Sequence, residues 1–126
     1  MNRKKNFSFE HLSNEEFKVL RESATEAPWS GEYNDYWEEG FYKCKGCEQN
    51  LFKSNNKFDS GCGWPSFDYA IKGSVIEKED LSLGMRRIEV ICSKCKSHLG
   101  HVFNDGPKET TGMRYCMNSI SLNFKK

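Results

Sequence analysis

Two copies of one spacing, Cys44-Lys45-Gly46-Cys47 and Cys92-Ser93-Lys94-Cys95, constrain this chain more than any other feature. Residues 48 to 91 lie between them, a gap of forty-four. Each Cys-x-x-Cys sets two thiolates on one tight turn, and two such turns face to face make a tetrahedral four-sulfur site suited to one structural zinc ion per chain. Zinc is favoured over a single iron in the same four sulfurs because it is redox-inert and common in such sites. A lone Cys-x-x-Cys redox pair is the competing reading, but neither copy sits between a clear strand and a long helix, and there are two of them. The rival ligand set Cys92, Cys95, His98 and His101 strands Cys44 and Cys47, and it lacks the dozen-residue gap of a Cys₂His₂ finger. The clip therefore ties distant segments together, with metal-binding free energy acting as folding free energy.

The rest of the chain has to supply a core. At 126 residues it suits one domain, 1–126, and nine Phe, five Tyr and three Trp make that core aromatic. Nineteen basic against eighteen acidic residues give a net charge of +1 with no basic stripe, which argues against nucleic acid as a partner. No apolar run exceeds three residues, as in Val90-Ile91-Cys92, so no segment suits a bilayer or an export signal. The expectation is a cytoplasmic monomer without a membrane partner, its six cysteines being thiols or ligands rather than disulfides.

Residues 1–6 are polar and basic and are expected to be loosely docked. Ser13 and Glu16 form a capping box for a helix from about Asn14 to Glu22, with Leu12 and Phe17 placed as a staple. Beyond Thr25, glycines and aromatics alternate with short β-prone stretches at Phe41 to Lys43, Leu51-Phe52 and Val75-Ile76. Met85 to Ile91 reads as a strand after a Leu83-Gly84 turn. Met113 to Phe124 also reads as a strand, but the polarity of both its faces inverts near residue 119, as when a strand leaves one buried environment for another. The expected class is mainly β, barrel-like, with a short N-terminal helix.

Cys62 and Cys116 stand outside the pairs. A lone cysteine is by default a small buried hydrophobe. Cys116, however, shares a strand face with Arg114 and Asn118, where a cation two residues away stabilises a thiolate that would otherwise be about 3% ionised at pH 7. Cys62 lies in Ser60-Gly61-Cys62-Gly63-Trp64-Pro65, between glycines that let the backbone move and beside a ring that can line a pocket. His98 and His101 add groups able to hold a proton near neutral pH, with a structural role beside the metal turn as the alternative.

The runs Phe58-Asp59-Ser60-Gly61-Cys62-Gly63-Trp64-Pro65-Ser66-Phe67, His98-Leu99-Gly100-His101-Val102-Phe103 and Arg114-Tyr115-Cys116-Met117-Asn118-Ser119 closely resemble the MsrB-type peptide-methionine (R)-S-oxide reductases. The resemblance extends from Leu12 to Phe124 and includes both Cys-x-x-Cys pairs. It implies two antiparallel sheets, a structural zinc remote from the chemistry, and reduction of the R epimer of methionine sulfoxide, free or in oxidised proteins. It makes Cys116 the attacking thiolate and Cys62 the resolving thiol of a disulfide recycled by thioredoxin. Trp64 receives the substrate methyl, and His98, His101, Phe103, Arg114 and Asn118 complete the site. Asn104, where Pro is common, Trp29, where Phe or Tyr is common, and a slightly long stretch from Lys108 to Met113 depart from the pattern at the pocket rim.

Two other classes fit part of the sequence. A zinc-ribbon binding module explains the four paired cysteines but not Arg-x-Cys-x-Asn on one strand face. A peroxide sensor would use the same two thiols without making methionine.

Overall fold

A computed structural model describes residues 8–126; the expectation for residues 1–6 falls outside them. Helix α1 is Asn14–Glu22, and Ser13 caps it as the sequence requires: its hydroxyl accepts from the Glu16 N–H at 3.1 Å, and its own N–H donates to the Glu16 carboxylate at 2.9 Å. Val19 and Leu20 are the buried face. Leu12 turns into the core while Phe17 stays 40% exposed, so the staple buries only one of its two members.

The strands are, in chain order, β1 (Phe41–Cys44), β2 (Asn50–Lys53), β3 (Lys57–Phe58), β4 (Ser66–Phe67), β5 (Val75–Asp80), β6 (Arg87–Cys92), β7 (His98–Phe103), β8 (Arg114–Met117) and β9 (Leu122–Lys125). They form two antiparallel sheets, ordered β2-β1-β9 and β3-β4-β8-β7-β6-β5. The larger sheet ends in β3 and β5 without ring closure, so the architecture is two open sheets around one core. Phe52 and Phe67 stack at 4.3 Å between centroids, and Tyr42 meets Phe67 edge-on at 5.1 Å. All three rings are fully buried, so the aromatic residues anticipated from composition are the packing itself.

The segment read as one C-terminal strand is two. β8 belongs to the six-stranded sheet and β9 to the three-stranded sheet, with a 3₁₀ turn at Ser119–Ser121 between them. The polarity inversion near residue 119 marks this change of sheet. Glu26 holds the crossing: its carboxylate accepts from the backbone N–H groups of Ser119 at 2.7 Å and Ile120 at 2.9 Å. β6 starts at Arg87 because Leu83 (φ 57°) and Gly84 (φ 67°) turn the chain just before it. β7 carries both histidines and pairs antiparallel with β6, the register slipping at a bulge between Val90 and Ile91.

Candidate functional site

The Cys-x-x-Cys turns are near copies of each other. Glu48 N–H donates to Cys44 C=O at 2.7 Å and Lys96 N–H to Cys92 C=O at 2.9 Å, and Glu48 (φ 69°) and Lys96 (φ 66°) both take the left-handed conformation that ends the turn. They bring the four sulfurs within 4.8 Å of one another, with Cys44 to Cys95 at 3.6 Å and Cys47 to Cys92 at 3.5 Å. A tetrahedron with metal–sulfur bonds of about 2.3 Å has edges of about 3.8 Å, so the cluster fits a metal with little adjustment. Gly46 N–H and the Gln49 amide donate to the sulfurs of Cys44 and Cys92, and the Ser97 hydroxyl lies 3.0 Å from that of Cys95. Hydrogen bonding to Cys92 and Cys95 pushes the Cys44 thiol up and burial pushes Cys47 up to about 12, while the hydrogen bond with Cys44 pulls Cys95 down. His98 and His101 make their own contacts with carboxylates, so the rival ligand set does not form.

The two remaining cysteines meet. Cys116 sits on β8, where its Cα partners are Ser66 on β4 and His101 on β7. Cys62 approaches from the loop before β4, between Gly61 (φ 73°) and Gly63 (φ 97°), and its sulfur lies 3.7 Å from that of Cys116. A disulfide needs about 2.05 Å, so the sulfurs must close by under two ångströms. They border a cleft of about 210 Å³ whose walls include Trp64, Gly100, His101, Phe103, Arg114 and Asn118. A wider cleft of about 460 Å³ between α1 and the 3₁₀ turn carries glutamates and lysines but neither a thiol nor an imidazole, so the smaller one is where sulfur chemistry can occur.

The charge distribution differs from the sequence expectation. Arg114 is engaged by Asp105, at 2.8 and 3.2 Å, and lies over the Phe103 ring at 4.5 Å. Burial, the Cys62 charge and the hydrogen bond to Cys62 push the Cys116 thiol up to about 12, against the smaller opposing pull of Arg114. Burial also acts on Cys62, but the Ser60 and Ser66 hydroxyls, the Trp64 backbone and the Cys116 thiol together outweigh it and bring Cys62 down to about 7. The surroundings of the pair therefore favour ionisation at Cys62 over Cys116. An arginine two residues away is too well paired and the site too enclosed for the spacing alone to set the ionisation.

Of the residues assigned from sequence, His101 reaches the cleft and His98 does not line it. His101 Nε2 lies 2.8 Å from Asp80, which Arg87 also contacts at 3.4 Å. The His98 ring stands behind, 5.5 Å from His101, with Nδ1 at 2.6 Å from Glu89 and Nε2 buried without a partner. Burial lowers His98 below the usual imidazole range, against the pull of Glu89. Asn118 uses its amide structurally: its oxygen accepts from Glu26 N–H at 3.0 Å and its nitrogen donates to Leu99 C=O at 3.1 Å. The Trp64 ring is fixed by its indole N–H donating to Glu26 C=O at 3.1 Å.

Sequence reasoning missed Asp80, Arg87, Glu89, Glu26 and Gly100. Asp80 and Arg87 are register partners flanking the β5–β6 turn, a pairing visible in hindsight once that hairpin is drawn. Nothing in the loop around Glu26 signals its role.

Fold and cleft together define a two-sheet β protein with a four-cysteine clip and a separate pair of facing thiols. The model of the SelR domain family matches residues 12–126, and the chain belongs to that family, the family of the MsrB-type methionine sulfoxide reductases. It is 53% identical over 116 residues to the peptide methionine sulfoxide reductase MsrB of Chromohalobacter salexigens, covering 91% of this chain and 87% of that one. It is 57% identical over 114 residues to the MsrB of Herminiimonas arsenicoxydans (90% and 82%). It is 51% identical over 117 residues to the probable methionine-R-sulfoxide reductase B of Caenorhabditis elegans (91% and 77%). The crystal structure of the Mis18 'Yippee-like' domain shares the fold alone, with a TM-score of 0.56 at 21% identity over 71% of this chain and 97% of that one. No helix among the described residues is long and apolar enough to cross a membrane.

Proposed function

We propose that this single domain reduces the R epimer of methionine sulfoxide, free or within oxidised proteins, by a two-thiol mechanism recycled by thioredoxin. The observation that supports it most is the 3.7 Å approach of Cys62 and Cys116 at a cleft walled by Trp64 and His101. At rest the Cys116 proton lies towards the Cys62 sulfur. Its transfer along that contact leaves Cys116 as thiolate when substrate arrives.

The Cys116 thiolate attacks the sulfoxide sulfur while the oxygen takes a proton from His101, whose ring is held by Asp80. The hydroxyl then passes from the substrate sulfur to the Cys116 sulfur as the bond between the two sulfurs breaks, its electron pair leaving with methionine, so that Cys116 becomes a sulfenic acid. The sulfur of Cys62 then bonds to that of Cys116, and the hydroxyl departs as water. A thioredoxin dithiol returns both cysteines to the reduced state by exchange. Handedness comes from the cleft: with the methyl against Trp64 and the oxygen towards His101, the opposite epimer cannot satisfy both. Phe103, Arg114 and Asn118 hold the walls, and His98, its imidazole lowered by burial, backs His101.

The four-cysteine cluster is read as one structural zinc, held by Cys44, Cys47, Cys92 and Cys95, none of which lines the cleft. Its part is to fasten β1 to the β6–β7 turn. The working unit in this reading is a monomer, and recycling by a dithiol calls for a reducing compartment such as the cytoplasm. The test is turnover of each separate epimer with thioredoxin and its reductase. Methionine should form from the R epimer alone; equal turnover of both, or none of either, overturns the reading.

A further inference from the structure

Ser60 and Ser66 belong to no step above, yet both hydroxyls converge on the sulfur of Cys62. Ser60 Oγ donates to Cys62 Sγ at 3.0 Å, Ser66 Oγ stands 3.4 Å from the same sulfur, and the two hydroxyls lie 2.7 Å apart. Ser60 Oγ also accepts from the Cys62 N–H at 3.3 Å, which fixes the residue from both ends. Ser66 is buried on β4, directly opposite Cys116, so the same strand pair carries one of the two hydroxyls and the reacting partner.

We propose that the Ser60 and Ser66 hydroxyls form a cradle that holds Cys62 as a thiolate and so sets the rate of its bond to the Cys116 sulfenic acid. In that step the Cys62 sulfur supplies the electron pair of the new sulfur–sulfur bond. Cys62 first gives back the proton it took from Cys116, now that Cys116 carries no charge; the sulfur–oxygen bond of Cys116 then breaks, and the leaving hydroxide combines with that proton to give water. A thiol in place of the thiolate has first to lose its proton, so each step away from the ionised form slows closure in proportion. The other charged or titratable groups around Cys62 are Cys116 and Arg114 on β8, His101 on β7, Arg87 on β6 and Asp59 in its own loop. Arg114 is occupied by Asp105, and Arg87 and His101 by Asp80, which leaves the Cys116 thiol and the two hydroxyls against this sulfur, Ser60 donating to it directly and Ser66, which also donates to Trp64 C=O at 3.2 Å, bracing Ser60 and the sulfur from the other side. The same donation brings Cys62 down to about 7 against the effect of burial.

This inference rests on the two-thiol reading, and its test separates the two. In rapid-mixing experiments without thioredoxin, methionine release reports the first step and loss of free thiol reports closure. Ser60→Ala should raise the ratio of the first rate to the second about tenfold at pH 7, the fall in thiolate expected when a thiol returns from about 7 to its ordinary range. Ser60→Thr, which restores a hydroxyl, should bring the ratio back, and Ser66→Ala should act in the same direction as Ser60→Ala. A folded Ser60→Ala protein with an unchanged ratio overturns the cradle. If the wild type releases no methionine, the functional reading fails. The cradle is then still judged by the pH midpoint of iodoacetamide labelling at Cys62, located by peptide mapping. That midpoint should rise in Ser60→Ala and Ser66→Ala, and an unmoved midpoint in both overturns the proposal.

Discussion

Gly100 lies on β7 where that strand crosses Cys116, and it leaves no room for a side chain. A Cβ built there overlaps the Cys116 carbonyl oxygen and stands 2.9 Å from Met117 Cα and 3.1 Å from the Cys116 carbonyl carbon. Carbon atoms prefer about 3.5–4.0 Å, so Gly100→Ala forces β7 and β8 apart by about 1 Å. Backbone hydrogen bonds next to the insertion then stretch beyond useful length, at about 1 kcal/mol each, on top of the overpacking cost of about 1–3 kcal/mol. A loss of about 3 kcal/mol is expected. At about 2.1 cal/mol/K of unfolding entropy per residue, it lowers Tm by about 10 °C. The same displacement draws His101 from Cys116, so methionine formation should fall more than tenfold in protein that is still folded at the assay temperature. Gly73→Ala is the control: its φ of 80° strains a side chain, but nothing lies within 4 Å, so about 1 kcal/mol and normal activity are expected. The measurements are calorimetric Tm and single-turnover rate. A Gly100→Ala protein melting within a degree or two of wild type, with undiminished activity, would refute the strand-contact reasoning.

Cys44→Ser should release the metal and abolish cooperative melting rather than subtract a reacting group, as read by metal analysis and circular dichroism; a stable metal-free variant contradicts the clip. Glu26→Ala strands the N–H groups of Ser119 and Ile120 and should cost about 2 kcal/mol in denaturant titration, with Glu26→Gln costing less because it keeps an acceptor. His98 has its folded-state pKa depressed by burial, so the unfolded chain binds the extra proton first. Its contribution is present above about 6.5 and is lost as pH falls below that value, and His98→Asn should flatten Tm against pH in this range.

The sequence announced α1 to the residue, because Ser13 and Glu16 cap it chemically and a helix start is a local event. The clip was equally legible, since Cys-x-x-Cys turns carry their geometry in four residues. Residues Arg114, Cys116 and Asn118 do border one cleft, together with Met117 from between them, where β8 ends. What stayed hidden depends on contacts between distant segments. The break at Ser119 shows in sequence only as a polarity inversion, because the residue that secures it, Glu26, is ninety-three positions away. The location of the charge on the thiol pair is likewise unreadable from Arg114 alone, since Asp105 occupies that guanidinium and the Ser60 and Ser66 hydroxyls favour Cys62.

The central claim is that oxygen leaves the substrate through Cys116 and is discharged by a bond to Cys62. Intact-mass and peptide-map spectrometry of protein mixed with R-methionine sulfoxide, in the absence of any reductant, reads this directly. The account predicts one methionine per chain, a protein lighter by two hydrogen atoms, and a single new link between the Cys62 and Cys116 peptides. Methionine released without that link, or a link that joins either cysteine to one of the metal-clip residues instead, would contradict it.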